Sequence, residues 1–303
     1  MAKPTVVNIE GRELKLTNLD KVLYPEAGFT KADVIDYYTK VSPVLLPHLR
    51  NRPLTLKRYP EGVNGDFFYE KNCPKYRPSW MRTIPVWSER QNKRIEFCSV
   101  DELAGLVWAA NLADLELHTS LSDADHMLRP NAVAFDLDPG PATSIVECCE
   151  LALALRRMFT DLGLEAYPKT SGSKGMQVYL PLNSDDTYDQ SKAFAHAVAG
   201  LMEQQMPDLV VSDMKKELRH GKVLIDWSQN DFFKTTVCVY SLRAKQTPTV
   251  STPLRWDEVE ATAGSGDPEQ LRFTYAQALD RVAEHGDLFA PVLTQQQTLP
   301  ALQ

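Results

Sequence analysis

The sequence predicts an α+β protein with antiparallel sheets. Three observations carry this expectation. Strand-like and helix-like segments are mixed along the 303 residues. Two adjacent strand pairs fall in the second half, at 165–169 with 176–180 and at 222–227 with 235–240, without the regular alternation of a parallel sheet. No G-x-x-x-x-G-K-[ST] loop and no strand-linked G-x-G-x-x-G occurs, which removes P-loop and Rossmann nucleotide sites.

The elements follow in order. A helix opens after Thr30, whose hydroxyl can cap the first free backbone N–H groups, and Val34, Tyr37, Tyr38 and Val41 recur at helical spacing. A strand is expected from Pro53 to Tyr59, and Leu103 to Leu117 reads as a buried helix. Ala132 to Asp138 reads as a strand. Pro141 suits a first helical position, and Ile145, Cys148, Ala152, Leu155 and Phe159 stripe one face as far as Gly163. The strands at 165–169 and 176–180 flank Ser171-Gly172-Ser173-Lys174-Gly175. A helix covers about 188–205. The strands at 222–227 and 235–240 face each other across a Ser-Gln-Asn-Asp loop, and a last helix lies near 267–284.

Hydrophobic residues make up 43% of the chain and charged ones 24%, which excludes collagen, coiled-coil and disordered classes. The longest apolar run, Leu103 to Ala113, is shorter than the roughly 20 residues a membrane span needs. The start, Met-Ala-Lys-Pro-Thr, carries no secretory signal, so a cytoplasmic location and no membrane partner are expected. Five cysteines with no C-x-x-C spacing read as reduced thiols. The net charge is −7, but residues 256–303 hold eight acidic and two basic side chains, which leaves −1 for residues 1–255. Within that body, residues 40–60 carry five basic and no acidic side chains, and residues 71–94 carry seven basic ones against Glu89. A phosphate backbone responds to such local fields whatever the net charge.

The most informative segment is Ala132-Val-Ala-Phe-Asp-Leu-Asp-Pro-Gly. Alternation along a strand points Val133, Phe135 and Leu137 inward and puts Asp136 and Asp138 together on the other face, with Cα atoms about 7 Å apart. Lys222-Val-Leu-Ile-Asp-Trp repeats the pattern and adds Asp226. If the two strands are neighbours, three carboxylates converge, and hard oxygen ligands favour Mg²⁺ or Mn²⁺. Such a cluster can hold two metals about 4 Å apart, an arrangement that serves phosphoryl transfer. In Ser171 to Gly175 two glycines permit a nest of backbone N–H groups, the hydroxyls donate, and Lys174 adds charge, which suits a triphosphate. Arg243 and Lys245 offer a second cationic pair. Phe67-Phe68 lies between basic stretches and could stack on bases, although at least one of two adjacent phenylalanines is expected in the core. His118 stands just upstream of the carboxylate strand; by position alone it reads as a helix-terminus or core histidine.

Seven stretches in order resemble one family: Thr17-Asn-Leu-Asp-Lys-Val-Leu-Tyr-Pro, Arg52-Pro-Leu-Thr-Leu-Lys-Arg-Tyr-Pro, Phe67-Phe-Tyr-Glu-Lys-Asn, Phe135-Asp-Leu-Asp-Pro, Thr170-Ser-Gly-Ser-Lys-Gly, Asp226-Trp-Ser-Gln-Asn and Tyr240-Ser-Leu-Arg-Ala-Lys. They are similar to the polymerase domain of bacterial DNA ligase D, in the archaeo-eukaryotic primase superfamily, from about Asn18 to Asp287. The resemblance implies a two-lobed primase-polymerase fold with an RRM-like catalytic sheet, a DNA-binding lobe over 1–125 and a metal and nucleotide lobe over 126–303. It implies a nucleotidyltransferase that fills gaps and extends 3′ ends in bacterial non-homologous end joining. By it Asp136, Asp138 and Asp226 hold two Mn²⁺ or Mg²⁺ ions. His118, Ser171, Lys174, Gln229, Arg243 and Lys245 bind the incoming nucleotide, mostly its triphosphate. Asn18, Lys21 and Lys31 read a downstream 5′-phosphate; Lys31 lies in the first turn of its helix, where free N–H groups favour an anion. Lys57, Arg58, Phe67 and Phe68 hold the template, and Arg219 helps to place the primer end. Ribonucleotides, Ku and a DNA ligase, fused or separate, are the implied substrate preference and partners, with the bacterial nucleoid as the place of work. The chain is then an excised domain or a free-standing enzyme. One departure is Gln177, where the family often carries a histidine. Two other readings use the same residues: a metal-dependent nuclease and a non-catalytic end-binding module.

Overall fold

The computed structural model describes residues 4–301. They form an α+β protein with two compact units. The first runs up to Ser120 and takes in 235–250 and 274–286; the second takes 121–234, 251–273 and the chain from Asp287 onward. The division therefore differs from a single cut near residue 125. Two later segments belong to the first unit, and Arg243 and Lys245 go with them.

In the first unit, helix α1 (Lys31–Leu49) is capped as expected: the Thr30 hydroxyl accepts from the Asp33 N–H, and the Asp33 carboxylate accepts from the Thr30 N–H. The helix buries Val34, Tyr37, Tyr38, Val41 and Leu45. Its tyrosines reach past the core. Tyr37 Oη donates to the Tyr240 carbonyl at 2.8 Å, and Tyr38 Oη accepts from the Leu242 N–H at 3.1 Å. The largest sheet runs Thr236–Val237, Asp114–Thr119, Leu54–Arg58, Lys93–Cys98 and Thr83–Ser88, with Phe68–Glu70 also paired to Leu54–Arg58. All of its strand pairs are antiparallel.

Three sequence expectations need correction here. The helix expected over 103–117 ends early: α2 is Leu103–Asn111, and Asp114–Thr119 is a strand. Ala113, at φ 57°, breaks the helix, and the apolar run conceals the break because Leu115 and Leu117 continue it at strand spacing. The strand near 235–240 shrinks to Thr236–Val237, which pairs with Asp114–Thr119 and not with the strand before the Ser-Gln-Asn-Asp loop. Finally, Cys73 and Cys98 form a disulfide, with Cα atoms 4.9 Å apart, whereas Cys148, Cys149 and Cys238 are buried thiols outside any disulfide. The pair is 25 residues apart in sequence, and the Cys73 N–H bonds to the carbonyl of Glu96, on the strand that carries Cys98.

The second unit holds a five-stranded sheet in the order Tyr167–Thr170, Met176–Pro181, Ala132–Pro139, Val223–Asp226 and Val210–Val211. Only the last pair is parallel. Helices α3 (Ile145–Asp161) and α4 (Tyr188–Gln205) cover one face. Val133, Phe135, Leu137, Val178 and Ile225 pack there with Leu155, Phe159, Phe194 and Val198. Helix α3 starts at Ser144, not at Pro141, because Ser144 and Glu147 close a capping box. The acidic tail holds α5 (Trp256–Ser265) and α6 (Tyr275–His285), where one helix was expected. Asp267 and Pro268 open a separate 3-10 turn between them. Among the described residues no helix is long and apolar enough to cross a membrane.

Candidate active site

With Val133, Phe135 and Leu137 committed to the core, Asp136 and Asp138 must emerge on the opposite face. Antiparallel register places Asp226 directly across from Asp136. The same register continues across the sheet: Asp136 pairs with Gln177, and Gln177 with Lys169. One transverse row therefore reads Lys169, Gln177, Asp136, Asp226. Gln177 Nε2 donates to Asp136 Oδ1 at 3.0 Å, while its own Oε1 is buried without a partner. Lys169 is buried and donates to Ser251 Oγ at 2.8 Å. Burial and the neighbouring Asp138 push the Asp136 carboxyl up to about 7, with Asp226 adding and Gln177 and Lys169 opposing. Like charges crowd here with too little compensation.

The side chains are not yet gathered around one point. Among the described residues no group of three His, Cys, Asp or Glu side chains is close enough to hold a metal ion as it stands. Asp226 explains part of this. Its Oδ1 accepts from the Ser228 N–H at 3.0 Å and from Ser228 Oγ at 2.5 Å, and its Oδ2 accepts from Gln229 Nε2 at 2.8 Å. The turn that brings Gln229 to the carboxylate is held by Asn230, which is fully buried. Its amide donates to the Ala134 carbonyl at 2.8 Å, and its Oδ1 accepts from the Ala134 N–H at 2.9 Å. Asn230 thus replaces a neighbouring strand where the ladder to Val223–Asp226 has not begun.

Two loops press against the same strand. In the Ser171-to-Gly175 loop the Ser171 hydroxyl accepts from the N–H groups of Ser173 and Gly175. A Cβ on Gly175 would lie 2.1 Å from the Leu137 carbonyl oxygen, so only glycine lets the loop approach between the two aspartates. Lys174 is exposed at the loop tip. On the other side Gly140 meets the Arg219 backbone: a Cβ there would lie 1.8 Å from the Arg219 carbonyl oxygen. The Gly140 N–H donates to Lys222 O and the Gly221 N–H to Pro141 O, so the basic loop that carries Arg219 is tied to the carboxylate strand. Within this unit Asp136, Asp138, Asp226, Ser171, Lys174, Gln229 and Arg219 therefore share one end of the sheet.

The other predicted residues lie in the first unit. Phe67 and Phe68 are 51% and 44% exposed, so neither is a core residue. Their neighbour Tyr69 and the more distant Tyr76 are exposed as well, which sequence inspection did not single out. Lys57 Nζ stands 4.6 Å from the centre of the Phe67 ring, and Arg58 stacks on Phe68 at 5.1 Å. Asn18, at φ 51°, turns the chain so that Lys21 and Leu19 accept the first N–H groups of α1, from Lys31 and Ala32. This brings Lys21 and Lys31 together. Burial, then the charges of Lys21 and Arg58, lower the pKa of Lys31. Lys31 is buried and donates to the Asn111 carbonyl at 2.9 Å, which makes it less of a surface lysine than its place in the sequence suggests.

His118, Arg243 and Lys57 converge on one buried carboxylate. Glu116 is 1% exposed. Its Oε2 lies 3.1 Å from Lys57 Nζ, 3.1 Å from His118 Nε2 and 3.3 Å from Arg243 Nε. Its Oε1 accepts from Tyr59 Oη and from the Ala244 N–H. Lys245, two residues beyond Arg243, is exposed. The Glu-x-His spacing on strand Asp114–Thr119 was the available signal, since residues two apart share a strand face.

Comparison with known proteins now bears on the whole chain. A family model described as the LigD primase-polymerase domain matches residues 30–289. The multifunctional non-homologous end joining protein LigD of Mycolicibacterium smegmatis is 42% identical over 282 residues, which cover 92% of this chain and 36% of that protein. The bifunctional non-homologous end joining protein LigD of Bacillus subtilis is 32% identical over 275 residues, covering 90% of this chain and 43% of that protein. Among solved structures, the polymerase domain from Mycobacterium tuberculosis ligase D in complex with DNA superposes with a TM-score of 0.86 at 37% identity. That match covers 94% of this chain and 99% of the other. The chain thus spans less than half the length of the curated relatives it matches.

Proposed function

Because the chain belongs to the LigD primase-polymerase domain family, we propose that it is a template-directed nucleotidyltransferase that fills gaps and extends 3′ ends in non-homologous end joining. The observation that carries this reading is the placement of Asp136, Asp138 and Asp226 on one sheet face. The Ser171-to-Gly175 and Arg219 loops close against the same strand.

With their side chains turned to a common point, Asp136, Asp138 and Asp226 would hold a pair of Mg²⁺ or Mn²⁺ ions: they are three hard oxygen donors, crowded enough that the Asp136 carboxyl is pushed up to about 7. Held by Asp136, Asp138 and Asp226, such ions would supply charge neutralisation for the phosphates and a lower pKa for an attacking 3′-hydroxyl. The chain's own groups do the rest. Gln177 and Gln229 orient Asp136 and Asp226. Ser171 and Lys174, on the loop that lies against the carboxylate strand, receive the triphosphate. Arg219 steadies the primer end. In the first unit His118, Arg243 and Lys245 contact the nucleotide, and Lys57, Arg58, Phe67 and Phe68 hold the template. Asn18, Lys21 and Lys31 take the 5′-phosphate. Ku and a DNA ligase are the partners, and the bacterial nucleoid is the place of work.

The test is a 5′-phosphorylated gapped duplex incubated with Mn²⁺ and each rNTP or dNTP. Templated addition, with higher kcat/KM for rNTP than for dNTP, is expected. Strand loss that needs no nucleotide would point to a nuclease, and binding without turnover to an end-binding module.

A further inference from the structure

A carboxylate can only accept hydrogen bonds, so a histidine nitrogen bonded to it must carry the proton. His118 Nε2 lies 3.1 Å from Glu116 Oε2. Nε2 is therefore the N–H nitrogen. Whether Nδ1 also carries a proton depends on the charge balance around Glu116. Lys57 and Arg243 already set two positive charges against the one carboxylate. A protonated His118 would add a third, in a cluster whose side chains are 2–15% exposed. Burial, together with Arg243 and Lys57, indeed lowers the His118 pKa against the pull of Glu116. A neutral ring with its proton on Nε2 presents Nδ1 as a bare acceptor. The Tyr69 ring meets the imidazole in a T-shaped contact, with ring centroids 5.9 Å apart.

An acceptor cannot bind a phosphate oxygen. A nucleoside triphosphate offers donors only on its sugar hydroxyls and on its base, and the base is engaged by the template. We propose that Glu116 is a positioning residue that fixes the tautomer of His118, so that His118 Nδ1 accepts a hydrogen bond from a sugar hydroxyl of the incoming nucleotide. Arg243, held by the same carboxylate, is left as the cation for the phosphates. This inference rests on the nucleotidyltransferase reading and assigns the sugar-facing group within it.

The test uses ratios measured within one protein, which an inactive fraction does not change. On a gapped duplex with Mn²⁺, kcat/KM is measured for rNTP, dNTP and 3′-deoxy dNTP with wild type, Glu116→Gln, His118→Gln and His118→Asn. His118→Gln keeps a donor near the Nε2 position and deletes the Nδ1 acceptor; His118→Asn keeps an amide oxygen near Nδ1. The proposal expects one of two ratios to fall at least fivefold in both His118→Gln and Glu116→Gln, and to stay within about threefold of wild type in His118→Asn. A fall in rNTP over dNTP identifies the 2′-hydroxyl, and a fall in dNTP over its 3′-deoxy analogue identifies the 3′-hydroxyl. Both ratios unchanged in His118→Gln, with KM raised alike for every triphosphate, means a phosphate contact and overturns the proposal. A ratio that falls in His118→Gln but not in a folded Glu116→Gln overturns the role of Glu116. If Glu116→Gln does not fold, the two His118 variants still decide the acceptor. Failure of the underlying reading looks different: wild type then adds no nucleotide at all.

Discussion

Two charge clusters lie on sheet faces of this molecule, one in each unit, and they are built in opposite ways. Around Glu116 one carboxylate is surrounded by donors. Burial raises its pKa, but the hydrogen bond from His118 and the charges of Arg243 and Lys57 outweigh that and hold the carboxyl well below the usual range. In the row of Asp136, Asp138 and Asp226 the carboxylates are in surplus, and Asp136 is pushed the other way. The carboxylate of the first cluster is more than balanced by its own neighbours and acts by holding them in place. The second is neutralised only when something positive arrives. A buried carboxylate is thus a scaffold or a ligand according to the company the register gives it.

The largest effect should come from the cluster with surplus charge. Asp136→Ala or Asp138→Ala is expected to reduce nucleotide addition at least about a hundredfold while leaving gapped-duplex binding largely intact, as read by primer extension beside fluorescence anisotropy. Extension above a few per cent of wild type in either variant would sink the metal assignment. Next comes a second pair of cations gathered by register, Lys21 and Lys31. The double change Lys21→Ala with Lys31→Ala should weaken binding to a 5′-phosphorylated gap by roughly 1.5–3 kcal/mol per lost charged contact. A gap ending in 5′-hydroxyl should lose much less. Equal losses at one fixed salt concentration would make both lysines general backbone contacts. Because Lys31 is buried against the Asn111 carbonyl, Lys21→Ala alone, which removes only a largely exposed ion pair with Glu61, serves as the control for effects on the fold.

Much of this contrast was legible in the sequence. Strand alternation alone separates Phe135 and Leu137 from Asp136 and Asp138, and the apolar context of Asp226 marks it as their companion. The Thr30 cap was legible too, because a cap is a local signal; the exposure of both phenylalanines was not, since adjacent aromatics in a sequence read equally well as core. Glu116 was not, because its meaning lies in Arg243, 127 residues later, and in Lys57, on the neighbouring strand. The end of α2 was hidden for a related reason: leucines at 115 and 117 satisfy a strand and extend an apolar run equally well. The Cys73–Cys98 disulfide and the pairing of Thr236–Val237 are products of tertiary register, which no spacing rule encodes.

A smaller effect concerns how the carboxylate row is supported. Asn230→Ala removes both hydrogen bonds to the Ala134 backbone and should cost about 1–3 kcal/mol of stability, measured by urea unfolding. If the row depends on this turn to present Gln229 and Asp226, kcat falls further than the folded fraction does. Loss of stability with unchanged kcat per folded molecule would confine Asn230 to the fold.

The finest test compares two carboxylates on a single strand. Asp114 stands two residues from Glu116 and is fully buried, yet neither of its oxygens has a hydrogen-bond partner of good geometry. Burial pushes its pKa well above the usual range, and the Lys57 N–H and the Arg58 charge only partly oppose this. The sign follows from the direction. Where the folded pKa of an acid exceeds the unfolded one, the native state binds the proton more tightly, so stability falls as pH rises above the ordinary carboxyl range. Asp114→Asn keeps the shape and cannot ionise. Its melting temperature relative to wild type should therefore climb as pH rises through the ordinary carboxyl range toward pH 8, and the difference should be smallest below about pH 3, where the wild-type carboxyl is protonated in both states. For Glu116→Gln the difference should be flat between pH 5 and pH 8, where the wild-type carboxyl is ionised in both states, and should shrink as pH falls below the ordinary carboxyl range, because the stability contributed by a depressed pKa is lost there. A difference for Asp114→Asn that stays constant with pH would mean that Asp114 is ionised in the folded protein. The contrast between an unpaired and a fully paired carboxylate two residues apart would then fail.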